Sequence, residues 1–173
     1  MNARSLTPRF SIIVATRNEE GTIAECVRRI LAVYPGECEV IVVDGGSDGT
    51  GAIVEAMACA DPAVRYTCNR GDRGKGHAIR VGVSLARAPI HAQIDADLQF
   101  LPEELPRLTG PVRDGEADVV LGSRFTHGSV RCAESTPLVR TLGNRVISAY
   151  ASLVCGQQMT DVQAGMKAWS ARA

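Results

Sequence analysis

A chain of 173 residues with 45% hydrophobic content holds enough apolar material for one domain with a sizeable core and too little length for two comfortable ones. Lys plus Arg number 19 and Asp plus Glu number 19, so the formal net charge is zero; no global field draws the protein to nucleic acid or a membrane, and any charge-driven binding is local. The opening "MNARSLTPRF" has a little positive charge but no apolar core behind it, and nowhere do about 18 apolar residues run uninterrupted, so the sequence reads as lacking an export signal and a membrane span.

The first predicted element is the β-branched run "FSIIVAT", residues 10–16, a buried strand. Ile23, Cys26, Val27, Ile30, Leu31 and Tyr34 follow at helical spacing. Asn18 is the expected N-cap, with Glu19 and Glu20 in the first turn, and "YPGE" stops the helix. A second buried strand, "VIVVD", spans residues 40–44. The alternation continues with a helix near 50–59, a strand at 64–68, a helix over about 75–87 and a strand ending at Asp95. After Pro102 come a short helix in "EELPRL", a strand in "DVVLGS", a polar segment from 123 to 135 and a helix over about 138–155. Strands alternating with helices predict an α/β fold, one mainly parallel central sheet flanked by helices, built as a single domain over 1–173.

The six cysteines (Cys26, Cys38, Cys59, Cys68, Cys132, Cys155) form no C-x-x-C pair. Most lie inside apolar periodic segments, which suits reduced core residues and a cytoplasmic protein. His77, His91 and His127 show no ligand spacing and read as structural or surface residues.

The chemistry concentrates where strands end, which in open α/β sheets is where ligands bind. In "PIHAQIDADLQF" the strand stops on Asp95 and Asp97. On an extended chain, residues two apart share a side, and two carboxylates there need a compensating cation or donors. A hard divalent ion, Mg²⁺ or Mn²⁺, is the simplest compensator, with Gln99 able to assist. Taken alone, the pair also fits one acid capping a turn and the other in solvent. In "VVDGGSDGT" an apolar strand delivers Asp44 to a loop containing Gly45, Gly46 and Gly49, where backbone N–H groups can approach a ligand and a helix N-terminus follows. In "NRGDRGKGHAIRVG", Arg70, Arg73, Lys75 and Arg80 surround three glycines ahead of a helix, the arrangement a diphosphate site would have. The spacing is not that of a P-loop, since two residues separate Gly71 from Gly74 and Gly76 follows Lys75. No G-x-G-x-x-G follows the first strand, which excludes a dinucleotide-binding Rossmann site.

In order, "SIIVATRNEEGTI", "VIVVDGGSDGT", "GKGHAIRVG", "DADLQFLPEEL", "VVLGSRF", "RTLGNRVISAY" and "TDVQAGMKAW" resemble glycosyltransferase family 2, with its nucleotide-sugar-binding GT-A fold. Within the family the chain looks most like the branch of dolichol-phosphate mannose synthase and its bacterial relatives, which move a sugar onto a polyprenyl phosphate. The resemblance implies that the loop from Ala15 through Asn18 and Glu19, together with Asp44 and Gly46, contacts the base or ribose of a nucleotide-sugar donor, and that Lys75 lies in the donor site. It implies that Asp95 faces ribose and metal, while Asp97, helped by Gln99, holds the metal that neutralises the leaving diphosphate. Arg124, Arg140 and Arg145 would face acceptor and phosphates, and Asp161 the transferred sugar. Ala15 and Arg17 stand where the family's P-x-Y-N-E has Pro and Tyr, and "AGMK" replaces "SGFR". Family members continue past "GMKAW" with further helices, so a non-catalytic nucleotide-sugar-binding module is one alternative.

Acceptor chemistry can be weighed separately. A sugar hydroxyl needs a general base, whereas a phosphate monoester with a second pKa near about 6 is already a dianion at neutral pH. From Gly122 to Arg145 the chain carries Arg124, Arg131, Arg140 and Arg145 against Glu134 alone, and arginine suits bidentate phosphate contacts. The expectation is metal-dependent, inverting transfer of a hexose from a GDP- or UDP-sugar to a polyprenyl phosphate at the cytoplasmic membrane face. The same-class alternative is a glycan or soluble hydroxyl acceptor with Asp161 as base.

Overall fold

The computed structural model describes residues 7–69, 71, 73–123, 138–162 and 164–173; the side chains of 138–142 and 145 are outside that description. The chain divides into two compact units, Met1–Val120 with Met166–Ala173, and Leu121–Gly165.

In the larger unit, β1 (Phe10–Thr16) and β2 (Cys38–Asp44) are near-continuous apolar runs, as a parallel sheet covered on both faces requires. With β3 (Val64–Cys68), β4 (Ile90–Asp95), β5 (Val119–Leu121) and β6 (Lys167–Ser170) they form one sheet in the order β3-β2-β1-β4-β6-β5. β1 pairs in parallel with both β2 and β4, and β2 with β3, while β6 runs antiparallel to β4. The chain builds outward from β1 to β3, then returns to add β4 on β1's other side. Strand order therefore reverses between β1 and β4, the place where α/β sheets leave a crevice.

One sheet face carries Ile12, Val14, Val40, Val42, Ala92 and Ile94. Against them pack Ile23, Cys26, Val27 and Ile30 of α1 (Ile23–Val33), Val54 of α2 (Thr50–Ala60), and Leu105, Leu108 and Val112 of α4 (Leu105–Arg113), which continues a 3-10 turn at Pro102–Glu104. The other face carries Ile41 and Val43 against Ala78 of α3 (Lys75–Leu85). A Cβ added at Gly82 would lie 2.5 Å from Ile13 Cγ2, so glycine is what lets α3 lie this close to β1. Burial pushes the Cys26 thiol up to about 12, keeping it protonated.

Four sequence expectations are corrected. Asn18 does not cap α1: it adopts φ 58, and the helix begins at Ile23 after Thr22. Glu19 and Glu20 precede the first turn, where Glu25 is the acid. β6, lying between β4 and β5, was not anticipated. Of the five described cysteines only Cys26 and Cys38 are buried, while Cys59, Cys68 and Cys155 are exposed. The histidines are structural where described: His77 Nδ1 lies 2.6 Å from Asn69 Oδ1, and His91 Nε2 donates to the Ala88 carbonyl and meets Trp169 edge-on. His127 lies outside the described residues.

Candidate functional site

Parallel register decides what meets at the carboxyl edge. Thr16 is opposite Asp44, and Ala15 is opposite Asp95, so the first strand's end lies between the two acids. Asp44 is buried, and its Oδ1 accepts from Thr16 Oγ1 and from the Gly46 N–H, each at 2.9 Å. The two loops beyond are stitched together. Asn18 Oδ1 accepts from the Ser47 N–H at 2.9 Å, Glu20 Oε2 from the Gly49 N–H at 2.8 Å, and Thr50 Oγ1 from the Glu19 N–H at 2.9 Å. Asp48 accepts from the N–H groups of Glu20 and Thr50, and its pKa is lowered chiefly by the Thr50 side-chain hydroxyl, with these N–H groups adding to the effect.

This stitching gives the glycines a definite job. A Cβ at Gly46 would lie 2.6 Å from Asn18 N, one at Gly49 2.8 Å from Glu20 Oε2, and one at Gly51 2.6 Å from the Tyr66 hydroxyl. Close approach of loop to loop requires them, and the N–H groups of Gly46, Ser47, Gly49 and Thr50 are already bonded within the chain. They form a rigid wall rather than an open anion cradle. Thr16, Glu20 and Tyr66 belong to this wall and were missed, since nothing in their spacing announces a partner on another loop.

At β4's end, the alternation argument for Asp95 and Asp97 does not hold. The strand stops at Asp95, and Ala96 and Asp97 turn the chain, with Leu98 at φ 58. Asp97 Oδ1 accepts the Gln99 N–H at 3.1 Å. Gln99 itself is exposed. Asp95 Oδ1 is buried, and its partner is the Lys75 ammonium, whose Nζ forms an ion pair with it at 2.5 Å. Lys75 begins α3, the element just before β4 in sequence, and stands beside β4's end in space. From below, the Cys26 thiol approaches the Asp95 carbonyl at 3.9 Å.

Among the described residues no group of three or more His, Cys, Asp or Glu is placed to hold a metal ion. Two carboxylates, one with a buried oxygen whose partner is the flexible Lys75 ammonium, do fit a divalent ion of the kind that completes its coordination with water and substrate phosphates. The structure thus brings Ala15, Asn18, Glu19, Asp44, Gly46, Lys75, Asp95, Asp97 and Gln99 to one edge of one unit.

Comparison with known proteins now decides the family. The profile described as Glycosyl transferase family 2 matches residues 11–164. The chain belongs to glycosyltransferase family 2. Among curated relatives of this family, it is 32% identical over 167 residues to the polyprenol monophosphomannose synthase of Mycolicibacterium smegmatis, covering 94% of this chain and 62% of that one. It is 34% identical over 167 residues to the undecaprenyl-phosphate mannosyltransferase of Micrococcus luteus, covering 94% and 67%. The dolichyl-phosphate hexose transferase of Haloferax volcanii is 30% identical over 160 residues, covering 92% and 65%. The chain thus spans about two thirds of the length of these three relatives, and 39% of a longer one. Its fold is GT-A, like that of the glucosyl-3-phosphoglycerate synthase of Mycobacterium tuberculosis with bound uridine diphosphate (TM-score 0.68, 24% identity, 95% of this chain and 57% of that one). The mannosyltransferase of Pyrobaculum calidifontis with GDP-mannose and Mn²⁺ is also similar (TM-score 0.63, 23% identity, 96% and 45%).

The smaller unit of this family 2 chain holds α5 (Leu138–Cys155) and the segment after it. Asp161 is buried, and Asn144 Nδ2 donates to its Oδ1 at 2.7 Å. The Val162 N–H donates to Ser148 Oγ at 3.1 Å, and the Met159 N–H to Ser152 Oγ at 2.8 Å. Asp161 is therefore anchored to α5. Arg124 and the polar segment lie outside the described residues; Arg140 and Arg145 fall on α5 with side chains outside the description.

Proposed function

We propose that this chain transfers a hexose from a GDP- or UDP-linked donor to a polyprenyl phosphate. The observation that carries the reading is the pair Asp95 and Asp97 at the sheet's reversal point, with a buried Asp95 oxygen held by the flexible Lys75 ammonium rather than by a fixed donor. The three polyprenyl-phosphate and dolichyl-phosphate transferases among the relatives support the acceptor class, and the similar Pyrobaculum calidifontis mannosyltransferase, which holds GDP-mannose and Mn²⁺, supports a nucleotide-sugar donor with a divalent ion.

In this reading the loops of Asn18, Glu19 and Asp44 hold the nucleoside, and the stitched wall keeps them from collapsing when the site is empty. Asp95 and Asp97 hold Mg²⁺ or Mn²⁺, which when bound neutralises the departing diphosphate. An acceptor phosphate oxygen attacks the anomeric carbon as the bond from that carbon to the donor phosphate oxygen breaks, and the nucleoside diphosphate leaves with the bonding pair. A single displacement inverts the anomeric centre. The phosphate arrives as a dianion, so no side chain has to remove a proton. That leaves Asp161 free of the task of base and suits its burial.

The acceptor is a lipid, and α5 supports working at a membrane surface, the cytoplasmic one in this reading. Its inward positions include the polar Asn144 and Ser148, whereas Val146, Ile147, Tyr150, Leu153 and Val154 are exposed. Those five fall on one stripe at helical spacing, and the helix contains Arg140 and Arg145 but no acid. An apolar stripe with arginines suits the interface of an anionic bilayer. Among the described residues no helix is long and apolar enough to cross it. Leu153→Ser is expected to lower binding to anionic vesicles roughly fivefold in cosedimentation.

The test is transfer of labelled sugar from UDP- and GDP-sugars to undecaprenyl phosphate in detergent with Mn²⁺. Labelled lipid recovered from one donor class supports the reading. Nucleotide binding with no lipid product, or label appearing only on a hydroxyl acceptor, contradicts it.

A further inference from the structure

Lys75 and Asp95 raise a question of charge. Lys75 opens α3 immediately after Gly74, which adopts φ 80. Its Nζ stands 2.5 Å from Asp95 Oδ1, and the two side chains are 47% and 26% exposed. The oxygen it approaches is the buried one. With no ligand present, Asp95 is thus neutralised by an ammonium on a flexible four-carbon stem, a point charge that is strongly hydrated and mobile. A divalent ion coordinated by that carboxylate would stand about 2.1 Å from its oxygen. An ammonium left in place would then sit within roughly 5 Å of it, with like charges facing across a partly buried gap.

We propose that Lys75 and the divalent ion are mutually exclusive partners of Asp95. Lys75 holds the carboxylate in the unliganded protein and leaves it when the metal-bound donor enters, its ammonium then pairing with the donor's diphosphate oxygens. The exchange rests on the reading of Asp95 and Asp97 as the metal and nucleotide site. It gives Lys75 two opposed effects: it weakens metal binding in the absence of nucleotide and strengthens nucleotide binding in the presence of metal. A residue that merely braced the loop would move both in the same direction.

The experiment titrates Mn²⁺ into the wild-type chain, Lys75→Met, Lys75→Arg and Asp97→Ala, reading free Mn²⁺ by electron paramagnetic resonance with and without UDP or GDP. Without nucleotide, Lys75→Met is expected to bind Mn²⁺ about tenfold more tightly than wild type, with Lys75→Arg close to wild type. At saturating Mn²⁺ its affinity for the nucleotide falls about tenfold. Equal or weaker Mn²⁺ affinity in Lys75→Met, or unchanged nucleotide affinity, overturns the exchange. If wild type binds Mn²⁺ with nucleotide and Asp97→Ala does not, the metal site itself stands whatever Lys75→Met does. If wild type binds no Mn²⁺ under either condition, the site and the exchange both fall.

Discussion

The two ends of the central sheet each contain a buried carboxylate oxygen, and they are treated in opposite ways. At the amino end, Glu39 of β2 is 1% exposed and fully provided for: Oε1 accepts from Ser11 Oγ and the Arg87 N–H at 2.7 Å each, and Oε2 from Arg65 at 3.0 Å and Arg87 Nε at 2.8 Å. Burial on its own would raise the Glu39 pKa, but these bonds outweigh it and hold the carboxyl below its usual value. At the carboxyl end, the partner of the buried Asp95 Oδ1 among the described residues is the flexible Lys75 ammonium at 2.5 Å. A carboxylate saturated by fixed donors, as Asp44 Oδ1 also is at the carboxyl end, is tied into the framework, while one held by a single flexible cation can exchange that cation for a ligand. Burial alone does not tell the two apart; the kind of donor does.

That contrast is broken most severely at Asp97. Asp97→Ala is expected to lower transfer at least about a thousandfold, roughly 4 kcal/mol of barrier, with a melting midpoint within about 2 °C of wild type; a comparably active variant contradicts the assignment. Glu39→Ala should do the reverse. Removing a carboxylate that pairs two arginines costs about 3 kcal/mol, the arginines' own exposure keeping it at the lower end, and lowers the midpoint by about 6 to 12 °C. Nucleotide affinity of the folded fraction should stay unchanged in calorimetry.

Gly46→Ala tests the wall between the ends of β1 and β2. Its Cβ has to displace the backbone of Asn18, at an expected cost of about 2 kcal/mol in urea unfolding, together with weaker nucleotide binding. The smallest effect concerns pH. Because the folded pKa of Glu39 lies below its ordinary 4.5, its contribution is present above that value and fades as pH falls through the lower, folded one. As pH falls below 4.5 the wild type should lose more stability than Glu39→Gln; parallel acid profiles for the two would show that Glu39 is not the group responsible.

The alternation of apolar runs and helical stripes made the parallel sheet legible, because strands covered on both faces can tolerate few polar residues. The acids at strand ends were legible for the same reason, since Asp44 and Asp95 interrupt runs that otherwise read as core. Asn18 was misread because a cap and a strut look alike in one dimension; only the pairing of β1 with β2 brings Ser47 to it. β6 was missed because four residues, "KAWS", carry no usable period and owe their state to pairing with β4. Glu39 left a faint sign, a charge inside "CEVIVVD", but its partners Arg65 and Arg87 lie 26 and 48 residues away. Lys75 was legible as a cation near phosphates. Its contact with Asp95 was not, because that depends on α3 crossing β1 before β4 is added.

The central claim is that the carboxyl edge around Asp44, Asp95 and Asp97 holds a nucleotide with a divalent ion. Its most direct test is the melting midpoint with UDP and with GDP, each with and without Mn²⁺, in wild type and Asp97→Ala. A ligand at about 100 times its dissociation constant adds roughly 2.7 kcal/mol, or about 5 to 10 °C for a chain of this size. The account predicts such a shift for one nucleotide, dependent on Mn²⁺ and absent in Asp97→Ala. No shift with either nucleotide, or a shift of the same size in Asp97→Ala, would contradict it.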